Sequence, residues 1–370
     1  MKYASEFRDA GLARKLAATI AAECEPGRDY AFMEFCGGHT HTIARYGLAS
    51  MLPAAVRLIH GPGCPVCVLP VGRIDSAIAL ARDHGATLCT YGDLMRVPGS
   101  QRTSLMKAKA AGADIRMVWS TLDALKIARE APDREVVFFA IGFETTTAPT
   151  ALAIRMAKAE NLGNFSVFCN HVLTPAAMRA ILDGDSLRLD GIVGPGHASA
   201  VIGIAPYREF AERGQAIVVA GFEPLDLLQA VLMLIRQVNA GRAMVENAYA
   251  RALPTDGNPK ARAAIAETMA VRDGFEWRGL GWLASSALGI RDAFRDFDAE
   301  ARFALPYVSV PDPKSCACAE VVRGLKRPSE CALFGRGCSP EAPVGSCMVS
   351  NEGACAAHWL YGRHRAAEVA

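Results

Sequence analysis

Between residues 30 and 222 short apolar, β-branched runs alternate with alanine-rich helical stretches, a pattern that predicts parallel βαβ units. The runs are YAFMEF (30–35), AVRLIH (55–60), ATLCTY (86–91), IRMVWS (115–120), EVVFFAI (135–141), FSVFCN (165–170), GIVG (191–194) and AIVVAG (216–221). Two groups of about four strands suit two parallel-sheet α/β lobes facing a cleft. From about residue 223 the strand signals stop, and helical periodicity takes over in LDLLQAVLMLIRQVNAGRAMVENAYARA. The expected division is an amino-terminal helix over 1–29 as a candidate to pack on the last domain, a first α/β lobe over 30–128, a second over 129–222, and a mainly helical, cysteine-bearing domain over 223–370.

At 370 residues the chain is long enough for two or three domains. Hydrophobic content of 51% and charged content of 21% are those of a folding chain. A formal net charge of +2 gives no overall pull towards nucleic acid or anionic lipid. Apolar runs such as Val136 to Ile141 fall far short of the roughly 20 residues that span a bilayer, so no membrane segment is expected. The amino terminus carries Glu6 and Asp9 inside an amphipathic pattern and reads as a helix rather than a secretion signal. Twelve cysteines in such a chain, expected to be cytoplasmic, point to metal binding or redox chemistry more than to structural disulfides.

Open parallel sheets bind ligands at the carboxyl ends of their strands, and here those ends are reactive. Cys36-Gly-Gly-His39-Thr-His41 follows the first run: a thiolate with an imidazole three residues on suits a nucleophile and base, or two ligands to a transition metal, although lone buried cysteines are common. Cys64-Pro-Val-Cys67 follows the second, the setting of a dithiol that cycles with a disulfide; half of a zinc site is the alternative. Glu144 with Thr145, Thr146 and Thr147 follows the fifth, as polar ligands, a proton relay or simply a helix start. His171 and His197 follow the sixth and seventh.

Six cysteines between Cys316 and Cys355, among Gly and Pro, cannot build a core unaided and call for an organising bond. Cys331, Cys338, Cys347 and Cys355 fall as C-x6-C-x8-C-x7-C, enough thiolates for a 4Fe-4S cluster. Zinc also takes four thiolates but commonly uses C-x2-4-C knuckles, which this set lacks. Cys316 and Cys318 stand outside the set as alternative ligands, a second redox pair or ordinary thiols.

Taken together, MEFCGGHTH, HGPGCPVC, YGDLMRVPGS, AIGFETTTAP, CNHVLTP, GPGHAS and the block around CALFGRGCSPEAPVGSCMVSNEGACAAH resemble the HypD family of NiFe-hydrogenase maturation factors, from about residue 30 to 358. The resemblance implies two α/β lobes around a cleft plus a cluster-bearing domain. It also implies a scaffold role, with a HypC-type chaperone, for assembling iron with two cyanides and one carbon monoxide; cyanide comes from HypE, and the product goes to the hydrogenase large subunit. Cys36 then matches the thiol that holds the assembling iron, His39 its nearby imidazole and a further candidate ligand, Cys64 and Cys67 the redox pair, and Cys331, Cys338, Cys347 and Cys355 the cluster ligands. The family's first motif often reads CGTHTH, so Gly38 is a departure. Two other readings compete: an iron-sulfur-dependent protein thiol/disulfide reductase, and a zinc-stabilised interaction module.

Overall fold

The structure is a computed structural model and describes residues 4–184 and 186–362. The outermost parts of the first and last expected segments, residues 1–3 and 363–370, lie outside the described residues. All eight strands expected from the apolar runs form: β1 (Tyr30–Glu34), β2 (Val56–His60), β3 (Thr87–Thr90), β4 (Ile115–Met117), β5 (Val136–Gly142), β6 (Phe165–His171), β7 (Gly191–Pro195) and β8 (Ala216–Ala220). A short ninth, β9 (Val245–Asn247), follows. Every residue of β5 and β6 is buried, as expected of parallel strands covered by helices on both faces.

The strands pair into two wholly parallel sheets of order β2-β1-β7-β8-β9 and β4-β3-β5-β6. The chain therefore starts the first sheet, builds the whole of the second, and returns to complete the first. This corrects the expected boundary at 128/129, because β3 and β4 belong with β5 and β6, while β7 and β8 belong with β1 and β2. It also corrects the boundary at 222/223, since β9 extends the first sheet beside β8. Strand order along the chain does not encode which strands hydrogen-bond, so two inserted lobes and two consecutive lobes read alike.

In each sheet the order reverses direction once, between β1 and β7 and between β3 and β5. Such switch points open a crevice at the carboxyl ends of the strands, where the connecting segments diverge. The segments leaving both switch points, including Cys36, Asp93, Thr145 and His197, line one cleft of about 520 Å³.

The Ala10–Glu23 helix is capped by Asp9, whose carboxylate accepts from the Leu12 amide at 2.7 Å. It packs against the Pro224–Asn239 helix, with Glu23 paired to Arg236 at 2.6 Å and Ile20 in a core shared with β1 and β8. It thus packs on the first helix of the expected 223–370 segment, which the structure places against the first sheet and away from the cysteines. The reason is its apolar face, Ala13, Ala17 and Ile20, which matches the aliphatic face of the later helix.

The region after β9 is less helical than expected. It holds the Pro259–Thr268 helix and two small antiparallel pairs, β10 (Met269–Val271) with β13 (Leu288–Ile290) and β11 (Gly274–Trp277) with β12 (Gly281–Ala284). The cysteine-rich stretch contains the five-residue Cys318–Val322 helix, the four-residue Ala354–Ala357 helix and short 3-10 turns. Its Gly- and Pro-rich text supports turns and leaves the interior to sulfur. Among the described residues no helix is long and apolar enough to cross a membrane.

Candidate redox and metal site

Cys36 lies just beyond β1 and caps the Gly37–Tyr46 helix, with its amide bound to Glu34 Oε2 at 2.9 Å. Glu34 is buried and also receives the Thr40 hydroxyl and faces His60 Nδ1 at 2.9 Å. Burial pushes its carboxyl above the usual range, while these partners oppose the shift. Gly63 closes over Cys36 so tightly that a Cβ there would collide with the Phe35–Cys36 backbone, and its carbonyl accepts from the Gly37 amide at 3.1 Å. The loop that ends in the C-x-x-C pair therefore rests on the backbone of Cys36. Burial, with the carboxylates of Glu352 and Glu34, raises the Cys36 thiol well above its ordinary range; a bound cation or a proton acceptor would be needed to make it a thiolate.

The imidazole that faces Cys36 is not His39. His197 Nδ1 lies 3.9 Å from Cys36 Sγ. His39 is fully buried with Nε2 3.3 Å from the Ala220 carbonyl; a carbonyl only accepts, so this nitrogen carries the proton, and burial holds the ring neutral by lowering its pKa to about 4. Three residues beyond a helix cap, His39 has turned towards β8 rather than back over the thiol. Phe222 stands between the two imidazoles, stacked on His197 at 3.7 Å between centroids and on His39 at 5.0 Å. A Cβ on Gly38 would come within 2.8 Å of the Phe222 ring, so the small residue that departs from CGTHTH makes room for this stack.

Cys64 caps the short Pro65–Val68 helix, and its Sγ accepts from the Cys67 amide at 3.3 Å. Burial raises the Cys64 thiol. Burial acts the same way on Cys67, but hydrogen bonds from Cys347 and Cys64 and the nearby Arg278 guanidinium outweigh it and bring Cys67 below the usual thiol range. One partner is thus predisposed to be the thiolate and the other the thiol, the asymmetry a reactive dithiol needs.

The carboxy-terminal cysteines come together around a small cavity lined by Cys316, Cys318, Cys331, Cys338, Cys347 and Cys355 with Phe334 and Met348. All four expected ligands are present, joined by the two thiols left outside the spacing argument. Cys318 and Cys347 sulfurs are 2.8 Å apart, and the hydroxyl of Ser346 donates to the Cys67 carbonyl at 3.0 Å, fastening this pocket to the C-x-x-C helix. Among the described residues no three His, Cys, Asp or Glu groups converge on one point to hold a single ion; the thiols surround a space instead. Soft donors in an apolar wall fit an iron-sulfur cluster.

Glu144 does not join this constellation. Its carboxylate accepts from the Thr174 amide at 2.9 Å and the Thr174 hydroxyl at 2.7 Å, buried at the start of the Glu144–Ala159 helix, so the helix-start reading fits it. Burial raises its pKa. Thr145 and Thr146 do line the cleft, whereas His171 is enclosed between Thr150 and the Gly142 carbonyl. Sequence reasoning passed over Glu352, which lines the cleft next to Gly37. Burial first, then Cys67, Asp93 and Glu34, raise its carboxyl to about 7. Its only sequence signal is an acid placed among glycines and thiols in SNEGAC.

A family model described as "HypD: Hydrogenase formation hypA family" matches residues 11–362. The chain belongs to the HypD family. Among curated proteins it is 60% identical to the hydrogenase maturation factor HypD of Rhizobium leguminosarum bv. viciae, over 99% of this chain and 97% of that one. It is 60% identical to the protein of that name from Azotobacter vinelandii, over 100% and 99%, and 48% identical to that of Escherichia coli K12, over 90% of each. The HypD match spans both sheets, the cleft and the cysteine pocket, so the features described above fall inside the family's common length.

Proposed function

We propose that this protein is a hydrogenase maturation factor, working as a redox-active scaffold on which iron acquires cyanide and carbon monoxide before delivery to the large subunit of the enzyme. The observation that carries the reading is the continuity of sulfur. Cys36 lies in a cleft, the Cys64–Cys67 loop rests on its backbone, and Cys67 abuts Cys347 in the six-thiol pocket. Full-length likeness to proteins named hydrogenase maturation factor HypD supports the pathway.

In this reading Cys36 anchors the substrate iron as a soft donor, with a HypC-type chaperone closing the cleft. His197 takes the role that sequence proximity gave to His39, accepting the Cys36 proton as the metal binds. Cyanide arrives as a thiocyanate on a HypE-type donor. Two electrons cleave R–S–CN to a thiolate and cyanide. Oxidation of the Cys67 thiolate and the Cys64 thiol to a disulfide supplies those two electrons and releases one proton, which the donor thiolate takes. Glu352, with a carboxyl near neutrality beside Cys67, is the group that would relay it.

A 4Fe-4S cluster, when bound, supplies single electrons to restore such a pair. Of the six thiols, Cys318 and Cys347 sit too close together to bind separate irons and are placed as a second exchanging pair beside Cys67. This leaves Cys316, Cys331, Cys338 and Cys355 as the ligand set, with Cys316 replacing the expected Cys347.

Infrared spectroscopy of anaerobic protein copurified with its chaperone tests the scaffold role. Cyanide and carbon monoxide bands should be present in the native protein and vanish in Cys36→Ala. In Cys64→Ser the cluster absorbance should persist while the cyanide bands are lost; normal bands in that variant would sink the redox step. A plain thiol reductase would reduce a protein disulfide and carry no such bands.

A further inference from the structure

A second cavity of about 920 Å³, larger than the cleft, opens beside the cysteine pocket. Among the described residues its cationic members are Arg96, Arg102, Lys107 and Arg278, and its acid is Glu341. Arg96 is committed to the fold, its guanidinium donating to the Pro340 and Val349 carbonyls at 2.9 and 3.1 Å. The other three retain unused capacity. Lys107 Nζ donates to the Arg102 carbonyl at 2.6 Å, which leaves two of its three protons. The Arg102 guanidinium has no acceptor among the described residues.

Arg278 is the informative member. It is 4% exposed, and its Nη2 has no hydrogen-bond partner among the described residues. Asp312 lies 3.1 Å from Nε but off the angle of a hydrogen bond. A buried guanidinium with unsatisfied donors is costly unless a ligand completes it, and here it borders a cavity. The backbone around Arg102 is also unusual. Gln101 and Arg102 both hold positive φ, 53° and 59°, a strain of the kind that gathers at ligand clamps. The Asp75 carboxylate holds the turn by accepting from the Ser100 amide at 2.8 Å and its hydroxyl at 2.5 Å. The lining also carries Val71, Val310 and Val344 with four prolines.

We propose that this cavity binds a small organic phosphate, with the phosphate on Arg102, Lys107 and Arg278 and the organic body against Val71, Val310 and Val344. Planar guanidinium forks match phosphate oxygens, and the volume lies in the range of small-ligand sites. Arg102 and Lys107 take no part in the thiol relay, and Arg278 touches it only through its charge near Cys67, so binding at Arg102 and Lys107 is tested independently of the function proposed above.

Isothermal titration calorimetry on the full chain decides it, with adenosine diphosphate as the organic phosphate and inorganic pyrophosphate as its counterpart without an organic body. The nucleotide should bind saturably at one site, at least tenfold tighter than pyrophosphate. The double variant Arg102→Ala, Lys107→Ala, at two exposed positions outside the core, should weaken it at least tenfold. Absence of saturable heat, equal affinity for the two probes, or unchanged binding in the double variant would each overturn the assignment.

Discussion

The two parallel sheets and the cysteine-rich stretch after residue 315 place thiols with equal care but by opposite means. In the lobes, Cys36 and Cys64 are fixed by backbone: a strand end, a helix cap, a glycine pressed against the next turn. Their neighbours are fully buried strands such as β5 and β6, whose apolar faces would pack whatever the state of the sulfur. In the terminal stretch the six thiols face one another, and helices of four and five residues with isolated turns surround them. There the sulfur is the core, and order should follow its chemical state.

That contrast is most sharply tested at Cys316 and Cys347. If Cys316 is a ligand and Cys347 half of an exchanging pair, Cys316→Ser should abolish the cluster's visible absorbance and open the terminal stretch to limited proteolysis. The lobes should still unfold cooperatively. Cys347→Ser should keep the absorbance and the protease resistance. The reverse result would restore the ligand set expected from spacing. Loss of the lobes together with the cluster would break the contrast itself.

The lobes have a polar keystone of their own. Arg73, 3% exposed, donates to Glu300 Oε1 at 2.6 Å, and Arg272 reaches the same carboxylate. Although burial pushes the Glu300 carboxyl up, Arg73 and Arg272 hold it down to about 2. Glu300→Ala would leave two guanidinium groups without their shared anion, at a cost of about 3–5 kcal/mol for a broken buried pair. Denaturant unfolding should register that loss while the cluster absorbance stays unchanged. A falling absorbance at native denaturant levels would show that the two regions are coupled more tightly than their construction suggests.

The parts legible in the sequence were those set by local pattern. Eight strands could be read because each is an apolar run bounded by glycine, proline or polar residues. β9 to β13 could not, since three- and four-residue strands give too little alternation to separate from turns. Sheet membership was hidden for another reason: β1 pairs with β7 across about 160 residues, and no local signal carries that. The thiols were found by type and spacing, but spacing alone could not choose four ligands among six. His39 was favoured by proximity along the chain, whereas the fold brings His197 to Cys36 from the far side of the switch point.

The smallest effect separates the two regions by the sign of a proton. His171, enclosed in the second lobe, has its pKa lowered to about 4 by burial, so the folded lobe refuses a proton that the unfolded chain takes up below about 6.5. Its contribution is fully present above that value and is lost as pH falls towards 4, by roughly 1.4 kcal/mol for each pH unit in between. Glu352, in the terminal stretch, works the other way. With its carboxyl raised to about 7, the folded form binds a proton that the unfolded chain does not take until about 4.5, so stability rises as pH falls through that window at a similar rate. Between pH 6.5 and 5.5 the His171 and Glu352 contributions therefore oppose each other, with the buried His39 adding to the His171 side. Unfolding titrations of His171→Gln should become more stabilised by acid than the native protein, and those of Glu352→Gln less. If both variants shift in the same direction, the opposed titration of lobe and terminal stretch is wrong.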